Sequence, residues 1–154
     1  MMGGVAEMIR LFRIAIIDDS LPDLLLAEEA FKGLEHPVFV QTYSSSRTAI
    51  QVLQRAGATL PDVILLDINM PTMNGFDVLK ALKADARLSL IPIIMLTTSN
   101  TERDVHQAYS LSANSYVVKS PSFGTFVEQV EAFVTFWRNS RLVNWPERLL
   151  PPKR

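Results

Sequence analysis

The chain has 154 residues, which is enough for one folded domain and too short for two. Hydrophobic residues make up 48% and charged residues 20% of it, an ordinary globular composition that excludes disordered, collagen-like and coiled-coil proteins. The formal net charge of −1 argues against general electrostatic binding, so we expect no direct nucleic-acid or membrane partner. The sequence contains no cysteine, membrane-span pattern or secretion signal, and the cytoplasm is the expected compartment.

Short apolar runs alternate along the chain with longer segments of helical period, a pattern that predicts five β/α units. In chain order, the predicted strands are 12–17, 37–43, 63–66, 91–96 and 115–118. Most of them are almost wholly apolar, as buried parallel strands are, and only the second partly alternates, which indicates an edge strand. The predicted fold is α/β and flavodoxin-like, a doubly wound parallel sheet in the order 2-1-3-4-5.

The helices between the strands have recognisable ends. Ser20 and the serines at 44–46 are expected to act as N-caps, and Gly33 and Gly57 are expected to end the first two helices. On the fifth helix, residues at a period of 3.6 predict a face that packs on the sheet: Phe123, Phe126, Val127, Val130, Phe133, Val134 and Trp137. With their caps, the five predicted helices cover 20–33, 44–57, 75–86, 101–112 and 122–140.

Polar residues follow four of the five strands, at the edge of the sheet where doubly wound folds bind ligands. Asp18 and Asp19 follow strand one and Asp67 follows strand three, so three carboxylates converge where the strand order reverses. Like charges this close repel, so the three carboxylates need a cation if they are to stay ionised. A set of oxygen ligands without histidine or cysteine favours Mg²⁺ or Mn²⁺. Thr97 and Lys119 end strands four and five, and their hydroxyl and ammonium groups suit phosphoryl oxygens.

Each of these residues also has a purely structural interpretation. Asp19 could be a helix-capping residue, Thr97 an ordinary strand threonine and Lys119 a solvated charge. Their joint placement at successive strand ends favours a site for phosphoryl chemistry.

Four runs carry this pattern: IIDDS at 16–20, DINMPTMNG at 67–75, MLT at 95–97 and NSYVVK at 114–119. Together they resemble the receiver domain of bacterial two-component response regulators, of the chemotaxis-regulator type. The resemblance implies that Asp67 accepts a phosphoryl group from a histidine kinase. It also implies that Asp18, Asp19, Asp67 and the backbone carbonyl of Asn69 hold Mg²⁺ or Mn²⁺.

The resemblance implies three further roles and includes two departures. Lys119 would contact the phosphoryl group, and Thr97 and Tyr116 match the switch pair of the family. Thr98 stands where the family usually has a small residue, so we expect it to modulate access to the site. Lys119 is followed by Ser120 and Pro121 instead of directly by proline, so the cis peptide typical of the family is either absent or moved by one bond.

We expect a flexible N-terminus over 1–10, a receiver domain over 11–140 and a C-terminal extension over 141–154, with no separate output domain. The predicted function is that of a stand-alone response regulator. It would not be a metabolic enzyme, although it would catalyse its own phosphotransfer and autodephosphorylation. One alternative is a constitutive, non-phosphorylated interaction module. Others are a flavodoxin-like ligand binder and an aspartate-nucleophile phosphatase, which would need a second acid where Asn69 stands.

The expected partner is a sensor histidine kinase. The run NSYVVKS at 114–120 and the helix end at Phe136 and Trp137 resemble stand-alone regulators of bacterial phytochrome kinases, so a bacteriophytochrome is one candidate. Three consecutive leucines on the first helix span 200° of its surface, which is wider than a core stripe. Leu24 and Leu25 are therefore predicted to dock the kinase.

A homodimer is also predicted, built from the fifth helix and the C-terminal extension. Phe136 falls outside the core stripe of the helix, and Trp145, Leu149 and Leu150 follow closely. Together they would form an apolar patch larger than monomers usually expose. The alternative is that the extension folds back on its own domain.

Overall fold

The computed structural model describes residues 11–35, 38–140 and 142. In these ranges five β-strands alternate with five α-helices, and none of these helices is long and apolar enough to cross a membrane. The strands are β1 (Phe12–Ile17), β2 (Val38–Tyr43), β3 (Val63–Leu66), β4 (Ile93–Thr97) and β5 (Ser115–Val118). The helices are α1 (Leu21–Lys32), α2 (Ser46–Gln54), α3 (Gly75–Ala84), α4 (Glu102–Ser110) and α5 (Phe123–Arg138).

The five strands form one parallel sheet in the order β2-β1-β3-β4-β5, which confirms the predicted topology. β2 lies at an edge, as its partly alternating sequence predicts. The order reverses between β1 and β3, and there Ile17 pairs with Leu66. The residues that follow these two strands therefore lie side by side at the carboxyl edge of the sheet.

The bounds of β4 differ from the predicted range 91–96. Ile91 closes a short 3₁₀ turn before the strand, and Pro92 has no N–H to donate to the ladder. The strand therefore begins at Ile93 and extends to Thr97.

Four helices end two or three residues before their predicted limits, which included the caps, and α5 is one of them, ending at Arg138. α3 ends at Ala84. α2 ends at Gln54, and Gly57 lies in the following turn with a φ of 80°. α4 ends at Ser110, and Ser112 has a φ of 73°. Both of these turns use the left-handed conformation that is typical of helix C-termini.

Hydrophobic residues form a core layer on each face of the sheet. Alternate strand residues point to opposite faces, so that neighbours in sequence enter different layers. α2, α3 and α4 cover the layer that contains Ile17, Leu66 and Met95. α1 and α5 cover the layer that contains Ile16, Leu65 and Leu96. Leu142, in the predicted extension, is buried in this second layer, so the extension begins against its own domain.

The predicted core face of α5 is largely observed. Phe126, Val130 and Val134 are buried, and three further residues are half-buried: Val127, Phe133 and Trp137. The prediction for Phe123 is wrong, because this side chain is 47% exposed. Phe123 is the first residue of α5, before the helix has packed over the sheet.

The three consecutive leucines of α1 divide between core and surface. Leu24 is 4% exposed and packs in the layer shared with α5, so its prediction as a kinase-docking residue is wrong. Leu25 and Leu26 are 65% and 50% exposed. The 200° arc did require an exposed leucine, but the phase of the helix decides which one.

Gly75 allows α3 to begin directly against the backbone that follows β3. A Cβ atom at this position would lie 2.2 Å from the carbonyl oxygen of Asp67 and 2.8 Å from the Cα of Ile68. Real Cβ atoms do not approach backbone so closely. The N–H of Gly75 instead donates to the carbonyl of Ile68 at 2.9 Å, and this contact fixes α3 to the segment that carries Asp67.

We expect Gly75→Ala to lower the free energy of unfolding by about 1–3 kcal/mol, because backbone atoms must move to admit the methyl group. Gly124→Ala is the matched control. Its added Cβ would meet only the Ser122 hydroxyl, at 3.9 Å, so this helical substitution should be neutral or stabilising. Urea unfolding of both variants is the measurement. A wild-type midpoint for Gly75→Ala would contradict the close approach.

Candidate functional site

Three carboxylates converge at the carboxyl edge of the sheet. One oxygen from each of Asp18, Asp19 and Asp67 lies within 4.8 Å of the others. Asp18 and Asp67 are only 4% and 8% exposed, whereas Asp19 is exposed. Backbone hydrogen bonds fix the positions of these two buried residues. The N–H of Asp67 donates to the carbonyl oxygen of Ile17, and the N–H of Asp18 donates to that of Tyr43, both at 3.0 Å.

The environment of Asp67 disfavours its ionised form. Burial raises the pKa of this carboxyl, and the neighbouring charge of Asp18 raises it further. Lys119 and a hydrogen bond from the Thr97 side chain act in the opposite direction but do not cancel the shift. A hard divalent cation would relieve this repulsion, and the all-oxygen donor set fits one. Asn69 is exposed in the loop before α3.

Lys119 belongs to a closed ring of hydrogen bonds with the start of α1. Its Nζ donates to Asp18 Oδ2 at 2.8 Å and to Asp23 Oδ2 at 3.0 Å. Asp18 Oδ1 accepts from the N–H of Ser20, and the Ser20 hydroxyl accepts from the N–H of Asp23. Burial alone would lower the pKa of Lys119, but the carboxylates of Asp18, Asp23 and Asp67 together outweigh it and raise the pKa. The ammonium therefore stays charged.

Asp23 is a site residue that the sequence patterns did not indicate. Its signal is the spacing Ser-x-x-Asp, which puts an acid in the first turn of a helix whose N-cap is Ser20. Because α1 begins beside the end of β1, that first turn lies close to the strand ends.

Thr97 and Tyr116 are connected through Ser99, another residue that the sequence did not indicate. Thr97 is fully buried, and its Oγ1 accepts a hydrogen bond from the N–H of Ser99 at 3.4 Å. The Tyr116 hydroxyl donates to the carbonyl of Ser99 at 2.8 Å. The Ser99 hydroxyl donates to Asp104 Oδ2 at 2.5 Å. These hydrogen bonds link Thr97, whose side chain also hydrogen-bonds to Asp67, to the first turn of α4.

A groove of about 510 Å³ opens between α1 and α5, next to the Lys119 ammonium. Thr98, exposed after β4, forms part of its wall. Apolar side chains contribute most of the rest, including Leu26, Phe123 and Phe126. A molecule that reaches Lys119 from this side must pass these residues.

The peptide bonds after Lys119 are trans, as are all others in the described ranges, so the cis bond typical of the family is absent. Ser120 has the backbone N–H that a proline would lack, and this N–H donates to Gln129 Oε1 at 3.1 Å. Gln129 Nε2 in turn donates to the carbonyl of Val118 at 2.8 Å. One side chain of α5 thus holds the backbone on both sides of Lys119.

Comparison with known proteins agrees with this geometry. Residues 14–131 match the family described as the response regulator receiver domain. The chain belongs to this family. The match covers all five strands except the first two residues of β1, and it includes the acidic cluster and Lys119. Receiver domains bind a divalent metal at an acidic pocket of this kind.

Individual relatives are similar over most of their length. The probable methanogenesis regulatory protein FilR2 of Methanothrix harundinacea is 32% identical, over 88% of this chain and 89% of its own. Response regulator Rcp1 of Synechocystis sp. is 32% identical, over 80% and 87%. The phosphorylated cyanobacterial phytochrome response regulator RcpA superimposes with a TM-score of 0.80 at 32% identity, over 86% and 99%. The Mn²⁺-bound form of Rcp1 gives 0.77 at 31%, over 86% and 99%.

We expect Asp67→Asn to raise the melting temperature by a few degrees at neutral pH in the presence of chelator. A raised pKa means that the ionised carboxyl is less favourable in the fold than in the unfolded chain, so removing the charge stabilises the fold. The gain should shrink as pH falls and the wild-type carboxyl becomes protonated.

Asp19→Asn is the control for this measurement, because Asp19 is exposed and its charge costs less stability. Circular dichroism melts at pH 7 and pH 5 compare the three proteins. Equal melting temperatures for wild type and Asp67→Asn at pH 7 would contradict the electrostatic argument.

Proposed function

We propose that this receiver domain belongs to a response regulator that accepts a phosphoryl group on Asp67 from a histidine kinase in the cytoplasm. The observation that carries the proposal is the buried Asp67 carboxylate, which has Asp18 and Asp19 beside it and hydrogen-bonds to the Thr97 side chain. An acid that only stabilised the fold would not be expected to lie in surroundings that disfavour its charge.

The proposed transfer is an in-line displacement. An Asp67 oxygen attacks the phosphorus, the bond from phosphorus to the histidine nitrogen breaks, and its electron pair returns to the imidazole. A Mg²⁺ or Mn²⁺ ion would neutralise part of the phosphoryl charge. Its ligands would be the carboxylates of Asp18, Asp19 and Asp67 and the backbone carbonyl of Asn69. Lys119 and Thr97 would bind phosphoryl oxygens.

Phosphorylation would then act on the contacts of Thr97. If this hydroxyl turns toward a phosphoryl oxygen, its bond with the N–H of Ser99 must change. Ser99 also holds Tyr116 and Asp104, so the change would reach β5 and α4. We propose that these elements signal by phosphorylation-dependent protein contacts.

A sensor kinase is the proposed partner, and a bacteriophytochrome is the candidate that we favour. RcpA is named as a phytochrome response regulator, and another similar structure, 30% identical with a TM-score of 0.68, is named as a bacteriophytochrome response regulator. FilR2 is named for a different process, so the stimulus needs a direct test.

Incubation with acetyl phosphate and Mg²⁺, followed by intact-mass spectrometry, tests the proposed site. We expect one phosphoryl group on wild type and none on Asp67→Asn. Chelator should abolish labelling, and Asp19→Ala should lose it while remaining folded. A wild-type protein that gains no mass would favour the alternative of a constitutive interaction module.

We also propose that Leu25 docks the kinase. Together with Leu21 and Leu26 it forms an exposed apolar surface on α1, beside the groove that leads to Lys119. A partner that delivers a phosphohistidine to Asp67 would cover this surface.

We expect Leu25→Asp to slow transfer from the phosphorylated histidine-kinase core of a bacteriophytochrome by 10-fold or more, on the order of one lost interface anchor. Labelling by acetyl phosphate should be unchanged, since Leu25 is exposed on α1 and is not one of the clustered acids. The exposed Leu90 at 50% exposure is a matched control site, so Leu90→Asp should leave both rates unchanged. Equal loss for Leu25→Asp in both assays would contradict a docking role.

A homodimer through α5 and the C-terminal extension remains our proposal. Phe136 is 63% exposed, and its ring meets Trp137 edge to face with centroids 5.1 Å apart. Trp145, Leu149 and Leu150 lie outside the described residues. The buried Leu142 supports fold-back for the start of the extension, so Phe136 carries the dimer proposal.

Light scattering tests the dimer with two variants. A chain that ends at Leu142 keeps the buried leucine and removes the rest of the extension, and Phe136→Ser removes the exposed ring. We expect the full chain to have the dimer mass and both variants the monomer mass. Three identical masses would contradict the proposed interface.

A further inference from the structure

Lys119 is held by two carboxylates that differ in kind. Asp18 belongs to the acidic cluster and divides its two oxygens between Lys119 and the N–H of Ser20. Asp23 lies on α1, outside the group of acids that could share a metal ion, and its side chain is 41% exposed. Its bond to Lys119 at 3.0 Å therefore does not compete with a cation.

The two bonds orient the ammonium group. A lysine ammonium has three N–H groups in fixed tetrahedral directions, and here two of them point at carboxylates on the α1 side of the site. With two directions fixed, the third is fixed as well. If Asp18 were the only partner, the ammonium could rotate about a single hydrogen bond. A cation bound at the acidic cluster would also attract the Asp18 carboxylate away from Lys119.

We propose that Asp23 is a positioning residue that holds the Lys119 ammonium ready for an incoming phosphoryl group, an inference that rests on the proposed function of Asp67. Asp23 touches neither the phosphoryl group nor the metal and acts through Lys119 alone. Its own place is set by Ser20, whose hydroxyl accepts from the N–H of Asp23 at 3.3 Å.

A simpler role for Asp23 has to be distinguished from this one. An acid in the first turn stabilises any helix through its dipole, whether or not it touches a lysine. Asp77 occupies the same helix position in α3, where the hydroxyl of Ser20 is replaced by the side chain of Asn74. Asp77→Asn is therefore the control for helix stability, and Glu29→Gln on α1 is the control for net charge.

Phosphorylation kinetics with acetyl phosphate test the proposal. We expect Asp23→Asn to lower the maximal labelling rate by about 3- to 10-fold, as loss of a partly exposed charge-assisted bond predicts. The half-saturating concentration of acetyl phosphate should not rise, since the variant removes a negative charge from the approach of an anion. Asp77→Asn and Glu29→Gln should keep the wild-type rate.

A double-mutant cycle shows whether Asp23 acts through Lys119. In a Lys119→Ala background, Asp23→Asn should change the residual rate no further. Mn²⁺ affinity, measured by calorimetry, should be equal in wild type and Asp23→Asn. A rate loss that persists without Lys119, or a wild-type rate for Asp23→Asn, overturns the positioning role.

A signal from the ammonium itself separates this inference from the proposed function. In ¹⁵N-edited NMR, a lysine NH₃⁺ group held by two carboxylates is protected from solvent exchange and visible, and Asp23→Asn should broaden the Lys119 signal. Loss of this signal in Asp23→Asn, in a protein that never labels, would reject phosphorylation and leave only the finding that Asp23 orients the Lys119 ammonium. An unchanged signal with normal labelling would reject the positioning role and keep phosphorylation.

Discussion

Asp18 and Asp67 are buried carboxylates at the ends of neighbouring parallel strands, and the repulsion between them has to be offset by everything around them. The Lys119 ammonium offsets part of it through Asp18, and backbone and hydroxyl donors from Ser20 and Thr97 offset more. Burial of the Asp67 carboxyl and, after it, the repulsion that is left raise the pKa of this group. The site is therefore suited to bind positive charge, and the energy for that binding is stored when the chain folds.

The fold supplies the rigidity that such a site requires. Close packing on both faces of the sheet fixes the strand ends, and the contact of Gly75 with the backbone after β3 leaves no room for that segment to shift. Carboxylates on a flexible loop would move apart to reduce their repulsion. Those on this scaffold cannot, so the unfavourable arrangement persists in the folded protein.

The sequence predicts those parts of this arrangement that depend on local patterns. Apolar runs locate the strands, and a single topological rule brings the residues after β1 and β3 together. The sequence does not predict the rotation of α1 about its axis well enough to show that Leu24 is buried and Leu25 exposed, because only 100° separates these two neighbours. Nor does the sequence indicate Ser99, because its link to Tyr116 on β5 is made only by tertiary packing.

The two hydrogen bonds of the Gln129 side chain to the backbone on either side of Lys119 have a consequence for timing. Since the main chain there is tied to α5, displacement of the ammonium has to come from rotation about the four methylene groups of the lysine. Such a rotation, once the two carboxylates release the ammonium, does not have to wait for a loop to rearrange, which takes nanoseconds to microseconds. The cationic part of the site can therefore readjust to a change in local charge while the surrounding polypeptide keeps its place.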